Sequence, residues 1–217
     1  MKRFYFIAGA LLVGQGLAAE EPPDDGKALV DAFITDVVTL SGDFRQSLVD
    51  AQGLVIEVTS GTLEIQRPGR FRWAYSEPYE QWLIADGLNI WSYDVDLEQV
   101  TVKPQADALA NTPALLLGGS NTAMEQFEYQ GSVSEDGMTW VKLAPVNTDS
   151  GFKRVELAFV GQRLQQMVFF DNLEQTTFVA LDNVAVNEPI DAGRFEFVVP
   201  ADVDVVGQPA SASLTAD

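Results

Sequence analysis

The sequence contains neither histidine nor cysteine. Without histidine, the chain cannot form a Ser-His-Asp or Cys-His catalytic arrangement, and it has no imidazole ligand for a metal ion. Without cysteine, it forms no disulfide bond and cannot be lipidated on an N-terminal cysteine. It also has no phosphate-binding loop and no nucleophile elbow. We therefore predict no cofactor, no metal and no enzymatic activity, although its many carboxylates leave a carboxylate-based hydrolase as a distant alternative.

Basic residues are scarce as well. The chain has 13 Lys and Arg against 32 Asp and Glu, which gives a formal charge of -19. Residues 1–19 include Lys2 and Arg3 and no acidic residue, so the chain without them would carry a charge of -21. This charge repels nucleic acid and anionic lipid headgroups. It serves either solubility or docking to basic partners, and the composition is compatible with both. Asp94, Asp96 and Glu98 lack the pattern of an EF-hand and are interpreted as a solvated turn.

No apolar run is long enough to predict a membrane-spanning helix. Lys2 and Arg3 precede an apolar segment at 4–13, and Leu17-Ala18-Ala19 supplies small residues for cleavage. The pattern predicts a signal peptide over 1–19, cleaved near residue 19, rather than an uncleaved N-terminal anchor. We expect a monomer in the periplasm of a Gram-negative bacterium, without stable membrane insertion. One domain would cover 20–205, and a disordered tail would cover 206–217.

The pattern of the mature sequence indicates one helix followed by many short strands. Apolar residues at helical spacing predict an amphipathic helix over 26–40, ended by Ser41-Gly42. Alternating patterns and turn residues then predict a series of strands. Their ranges are 43–49, 54–60, 62–66, 70–75, 81–85, 88–93, 99–103, 128–134, 139–144, 153–160, 163–171, 175–183 and 195–198. The second and third are separated by, or kinked at, Gly61. The fold class is mainly β with α: an incomplete antiparallel β-barrel, or half-barrel, closed by a helical lid.

The segment 104–126 interrupts the strands and is the candidate lid. Thr112 is suited to cap a helix whose first residue is Pro113, and Gly118 and Gly119 are suited to end it or to act as a hinge. Leu115 and Leu116 would face the cavity, unless this apolar stretch is ordinary core. A second short helix is predicted around 122–127.

Two features of the early strands suggest a binding site. Phe71 and Trp73 are two residues apart and share one sheet face, and we predict that Leu83 lines the same cavity with Trp91 and Tyr93 nearby. Arg67 stands at the turn before this strand, where its donors could reach backbone carbonyls of the lid as a latch. The alternative for Arg67 is a surface arginine near an acidic side chain.

The order of several motifs resembles the LolA family. They are Phe44-Arg45-Gln46, Arg67-Pro68 with Phe71 and Trp73, Asp86-Gly87, Trp91 with Tyr93, Glu98-Gln99, Asn111-Thr112-Pro113, and Asp191-Ala192 with Arg194-Phe195 and Phe197. The resemblance covers about 29–205. Ala114 departs from it, because a bulkier aromatic can occur there in relatives.

The resemblance implies a chaperone in lipoprotein transport. Such a carrier accepts a lipoprotein from an inner-membrane ATP-driven release complex, shields its acyl chains in a hydrophobic cavity, and passes it to an outer-membrane receptor. It also implies that Arg67 is the latch and that Phe71 and Trp73 are cavity aromatics. Another half-barrel envelope protein, of receptor or stress-regulator type, is the nearest alternative.

Overall fold

The computed structural model describes residues 25–106, 117–118, 123–147 and 150–210. The predicted signal peptide, the predicted lid residues Thr112, Pro113, Leu115, Leu116 and Gly119, and the end of the predicted tail, 211–217, lie outside these ranges. No helix within them has the length and apolar character needed to cross a membrane.

The described residues form one open sheet of twelve strands. The strands are β1 Thr39–Val49, β2 Val55–Gln66, β3 Arg70–Glu77, β4 Gln81–Asp86, β5 Asn89–Asp94, β6 Gln99–Pro104, β7 Phe127–Glu135, β8 Met138–Pro145, β9 Phe152–Val160, β10 Arg163–Asp171, β11 Thr176–Val186 and β12 Asp204–Gly207. Their order is β12-β6-β5-β4-β3-β2-β1-β11-β10-β9-β8-β7, so β12 and β7 are the two edges. All neighbours are antiparallel except β12 and β6, which are parallel.

Helix α1, Asp25–Asp36, is shorter than predicted. It buries Val30, Phe33 and Ile34, which share one face of the helix. The prediction of helix to residue 40 is wrong, because the backbone is already paired as β1 there: Leu40 lies opposite both Ile65 and Val186. The last apolar residues fit a helical repeat as well as a strand, so the pattern alone did not place this boundary.

The strand pairing decides between the two forms predicted for residues 54–66. They form a single strand, β2, with a register shift against β3 at Gly61, so the form with a kink at Gly61 is confirmed rather than the form with two separate strands. At Gly61 a Cβ would collide with the Ala74 carbonyl oxygen, so the absence of a side chain permits the close approach of β3.

The C-terminal region differs from the prediction too. The strand predicted at 195–198 is not formed: Ala192–Phe195 is a 3-10 helix capped by Asp191. The last strand is β12, which extends past residue 205 into the range predicted as tail. The short helix predicted around 122–127 is a 3-10 helix at Ala123–Gln126.

The two faces of the sheet differ in what covers them. The inner face packs against α1 in one apolar cluster that draws on β1 to β4 and β8 to β11. Edge-to-face contact between Phe33 of α1 and Phe159 of β9, 6.0 Å between ring centroids, belongs to this cluster. Part of the outer face, at β3 to β5, is covered instead by the segment that includes Phe195 and Phe197.

Candidate functional site

The inner face carries a group of aromatic rings on β1 and β3. We call Phe44, Trp73 and Tyr75 the aromatic cluster. The Phe44 ring lies 5.1 Å from Trp73 and 5.2 Å from Tyr75, both edge to face. Strand alternation places Trp73 and Tyr75 on one face of β3, and the β2–β3 and β1–β2 registers bring Phe44 of β1 to the same face. These rings form an apolar wall at the middle of the sheet.

Phe71, Trp73 and Leu83 lie together on this inner face, as the sequence predicts. Phe71 is fully buried, Trp73 is 7 % exposed, and Leu83 is directly opposite Trp73 across the β3–β4 ladder. The indole nitrogen of Trp73 is buried without a hydrogen-bond partner among the described residues. The unpaired N–H carries a desolvation cost, so the apolar character of this surface comes from the rings of Phe71 and Trp73 and from Leu83 rather than from the indole nitrogen.

Trp91 and Tyr93 are placed on the opposite face, which corrects their predicted position beside Phe71 and Trp73. The β4–β5 pairing sets Trp91 against Ile84 and Tyr93 against Trp82, and none of these four is on the inner face. The physical reason is parity. The turn between β4 and β5 contains an even number of residues, so odd-numbered positions of β4 pair with even-numbered positions of β5. Counting this turn in the sequence would have given the right face.

The outer-face aromatics belong to a separate structural layer. The Phe197 ring lies 5.4 Å from Trp91 and 5.9 Å from Tyr93. Trp91 donates its indole N–H to Asp86 Oδ2 at 2.7 Å. Burial raises the pKa of Asp86, but hydrogen bonds from Trp91, Asn89 and Leu88 outweigh it and lower the pKa below its usual value. Trp91 and Tyr93 therefore anchor the C-terminal segment.

Arg67 is buried and makes strong contacts with α1. Its Nη1 donates to the carbonyl oxygens of Phe33 at 2.7 Å and Val37 at 2.6 Å, and its guanidinium lies 4.7 Å from the centre of the Phe33 ring. A helix C-terminus is where carbonyls lack helical donors and where a positive charge is favoured. Burial lowers the pKa of Arg67 to about 10, which leaves it protonated at neutral pH.

These contacts rule out the interpretation of Arg67 as an exposed surface arginine, because its side chain is only 8 % exposed. Two of its acceptors are on α1 and the residue that follows it. The predicted contact with 111–119 falls mostly outside the described residues and stays a prediction. The prediction overlooked α1 as a partner for Arg67. Its last helical turn lies beside the β2–β3 turn and supplies the carbonyl oxygens there.

Leu117 and Gly118 are the described residues of the segment 111–119 within the predicted lid. Leu117 is buried in the inner cluster. Gly118 accepts a hydrogen bond from the Gly69 backbone N–H at 2.7 Å, and a Cβ at Gly118 would lie 2.7 Å from Phe71 Cδ1. The segment thus packs directly on Phe71 and on the turn that carries Arg67. The hinge role predicted for Gly118 stays a prediction.

In the described ranges, no group of three or more His, Cys, Asp or Glu is arranged to hold a metal ion.

Phe44 and Tyr75 are the residues that the predicted site lacked. The continued alternation from Phe71 through Trp73 to Tyr75 is the signal for the second of them.

The model of the family "Outer membrane lipoprotein carrier protein LolA" matches residues 35–198 of this chain. The chain belongs to the LolA family. This confirms the resemblance drawn from the sequence motifs.

Relatives are similar over most of their length. The outer-membrane lipoprotein carrier protein of Methylobacillus flagellatus is 37% identical over 203 residues, which cover 94% of this chain and 99% of that protein. The carrier protein of the same description from Methylococcus capsulatus is 36% identical, covering 94% of this chain and 96% of its own. That of Bordetella avium is 38% identical over 183 residues, 84% of this chain and 88% of its own.

A solved structure shares the fold. It is an uncharacterized conserved protein from Thermus thermophilus, with a TM-score of 0.53 and 15% sequence identity, and the match covers 83% of this chain and 97% of that one. At this identity the likeness concerns the fold alone.

Proposed function

We propose that this protein is a periplasmic chaperone that carries lipoproteins towards the outer membrane. The observation that carries the proposal is the inner face of the open sheet, where Phe44, Phe71 and Trp73 form an apolar surface covered by elements that are not strands of the sheet. A surface of this kind binds hydrocarbon by the hydrophobic effect and needs no chemical step. The relatives' description as outer-membrane lipoprotein carriers, over nearly the whole chain, supports the same role.

In this proposal the sheet acts as a half-barrel and 111–119 acts as its helical lid. Leu115, Leu116 and the described Leu117 would cover the aromatic cluster until cargo displaces them. Supporting contacts are the buried side chain of Leu117 and the hydrogen bond from Gly69 to Gly118. The strands can stay in place while the lid moves, because a single backbone bond joins the described part of the lid to the β2–β3 turn.

The energetics are compatible with reversible transport. Burying one methylene is worth about 0.8 kcal/mol, so one long acyl chain would gain roughly 10 kcal/mol if fully buried. The covering segment competes for the same surface, which reduces the net affinity and permits release. A carrier needs this balance, since cargo held too tightly would not be handed on.

Arg67 would set part of that balance. It holds the end of α1 against the β2–β3 turn, and the same turn is hydrogen-bonded through Gly69 to Gly118 of the lid. Arg67 would thereby help to keep α1 and the lid over the inner face. We propose that Arg67→Leu still takes up lipoprotein but releases it poorly. The donor would be an inner-membrane ATP-driven release complex, and the acceptor an outer-membrane receptor. The signal peptide expected at 1–19 would bring the chain to the periplasm.

A matched pair of variants tests acyl binding. Trp73→Glu places a carboxylate on the inner face, whereas Trp82→Glu places one on the outer face, where the Trp82 ring lies 4.9 Å from the Arg72 guanidinium. Binding of an environment-sensitive fluorescent fatty acid should fall by at least about tenfold in the first variant, because burying an unpaired charge is costly. The second should bind normally. Equal binding by both folded variants would contradict the assignment of the inner face.

A further inference from the structure

A cavity opens at the end of the inner face, next to the aromatic cluster. It measures 420 Å³, and its lining includes Gln46, Glu57, Thr59, Tyr75, Asp94 and Asp96. We call it the mouth pocket. Tyr75 belongs to both sites: its ring touches Phe44 on the cluster side and lines the pocket on the other. If the apolar part of a ligand contacts the aromatic cluster, the adjoining part of that ligand therefore lies at the mouth pocket.

The mouth pocket is negatively charged and has no cation of its own. Glu57, Asp94 and Asp96 line it, and none of the described lining residues is Lys or Arg. None of the three carboxylates forms an ion pair with a described residue. The charge of Glu57 reaches into the pocket: after burial, it is the next cause that raises the pKa of Tyr75, to about 12.

Thr59 provides an independent sign that the pocket accommodates a polar group. Its side chain is only 8 % exposed, yet its hydroxyl has no hydrogen-bond partner among the described residues. A buried hydroxyl without a partner costs free energy that a ligand can recover. This hydroxyl can accept a hydrogen bond from an N–H donor, and it lines the same pocket as the acidic turn of Asp94 and Asp96.

We propose that the mouth pocket binds a lysine or arginine side chain of the peptide that is attached to the acyl chain. The inference rests on the proposed carrier function and adds a rule of cargo preference to it. The three carboxylates would attract the cation, and the Tyr75 and Tyr79 rings would flank its stem or face. An acidic residue at the same place in the cargo would be repelled. The cavity is at the small end of the range for ligand sites, which suits one side chain and the adjoining backbone.

The test uses synthetic peptides that carry one N-terminal palmitoyl group and differ at a single residue near it: arginine, glutamine or glutamate. Dissociation constants are measured with the mature protein by calorimetry at about 0.05 M and about 0.3 M salt. We expect the arginine peptide to bind about tenfold more tightly than the glutamine peptide at low salt, with a smaller difference at high salt. The glutamate peptide should bind most weakly.

The variant Glu57→Gln/Asp94→Asn/Asp96→Asn should remove the preference for arginine and leave the glutamine peptide bound as before. Its control, Glu135→Gln/Asp136→Asn/Glu188→Gln, removes the same charge at exposed positions outside the pocket and should keep the preference.

The outcomes distinguish a failure of the mouth-pocket inference from a failure of the carrier function. If the palmitoyl peptides bind with equal affinity whatever the variable residue, the mouth-pocket inference is overturned and the carrier function stands. A preference that both triple variants reduce equally comes from net charge, and this also overturns the inference. If no palmitoyl peptide binds the wild-type protein, the proposed carrier function itself fails, and the inference fails with it.

Discussion

Replacing Arg67 by leucine should destabilise the fold substantially. The change removes two hydrogen bonds from a charged donor, to the carbonyl oxygens of Phe33 at 2.7 Å and Val37 at 2.6 Å. Such bonds are worth roughly 1.5–3 kcal/mol each, and burial of the leucine side chain recovers part of the loss. We expect the free energy of unfolding to fall by about 2–4 kcal/mol.

Urea denaturation followed by tryptophan fluorescence measures this change. With a typical denaturant dependence, the midpoint should shift by about 1–2 M. Arg67→Lys keeps the charge but not the planar fork, and should lie between wild type and Arg67→Leu. Arg70→Leu is the matched control, because the neighbouring Arg70 is exposed and donates only a long bond, 3.4 Å, to Gln66. If Arg67→Leu and Arg70→Leu shift the midpoint equally, Arg67 does not secure α1 and the reasoning is refuted.

Three further predictions follow from single contacts. Gly118→Ala should lower the free energy of unfolding by about 1–3 kcal/mol, because the new methyl group crowds Phe71. Gly151→Ala, which has open space around the new Cβ, should be neutral. Equal thermal midpoints for the two variants would contradict this. Spectrophotometric titration should show one tyrosine that ionises near pH 12, and this ionisation should be absent in Tyr75→Phe. Because the pKa of Tyr75 is raised in the folded state, its contribution to the free energy of unfolding should be lost as pH rises from about 10 towards 12. A wild-type titration curve in the variant would disprove the assignment. Trp91→Phe should destabilise the protein at neutral pH and progressively less as pH falls through the pKa of Asp86. The reason is that the hydrogen bond from Trp91 lowers this pKa, so the bond stabilises the fold only while the Asp86 carboxylate is charged. A loss of stability that does not depend on pH would count against this coupling.

The sequence predicted most of the sheet because strand signals are local. Alternating side chains and turn pairs such as Asp136-Gly137 bounded β3 to β11 to within a few residues of their observed limits. The errors occur where pairing with residues distant in sequence determines the secondary structure. Leu40 is strand because Ile65 and Val186 flank it, and β12 exists because its backbone pairs with β6 about a hundred residues earlier in the chain.

The candidate site was predictable in part for the same reason. Phe71 and Trp73 share a face by alternation within one strand, and this holds in the structure. To predict the face of Trp91 and Tyr93, the alternation of β4 has to be continued through the two-residue β4–β5 turn. The prediction relied on the density of aromatic residues instead. The acceptors of Arg67 could not be predicted from its neighbours in sequence, since they come from the end of a helix some thirty residues away.

Release of a lipoprotein from membranes tests the carrier function most directly. Spheroplasts that hold a radiolabelled, triacylated lipoprotein in their inner membrane are incubated with the purified mature protein, and the supernatant is analysed by gel filtration. We expect the lipoprotein to appear in the supernatant in a stoichiometric complex with wild type and with Trp82→Glu, and much less with Trp73→Glu. Lipoprotein that stays in the membrane with the wild-type protein, or is released equally by Trp73→Glu, would contradict this expectation.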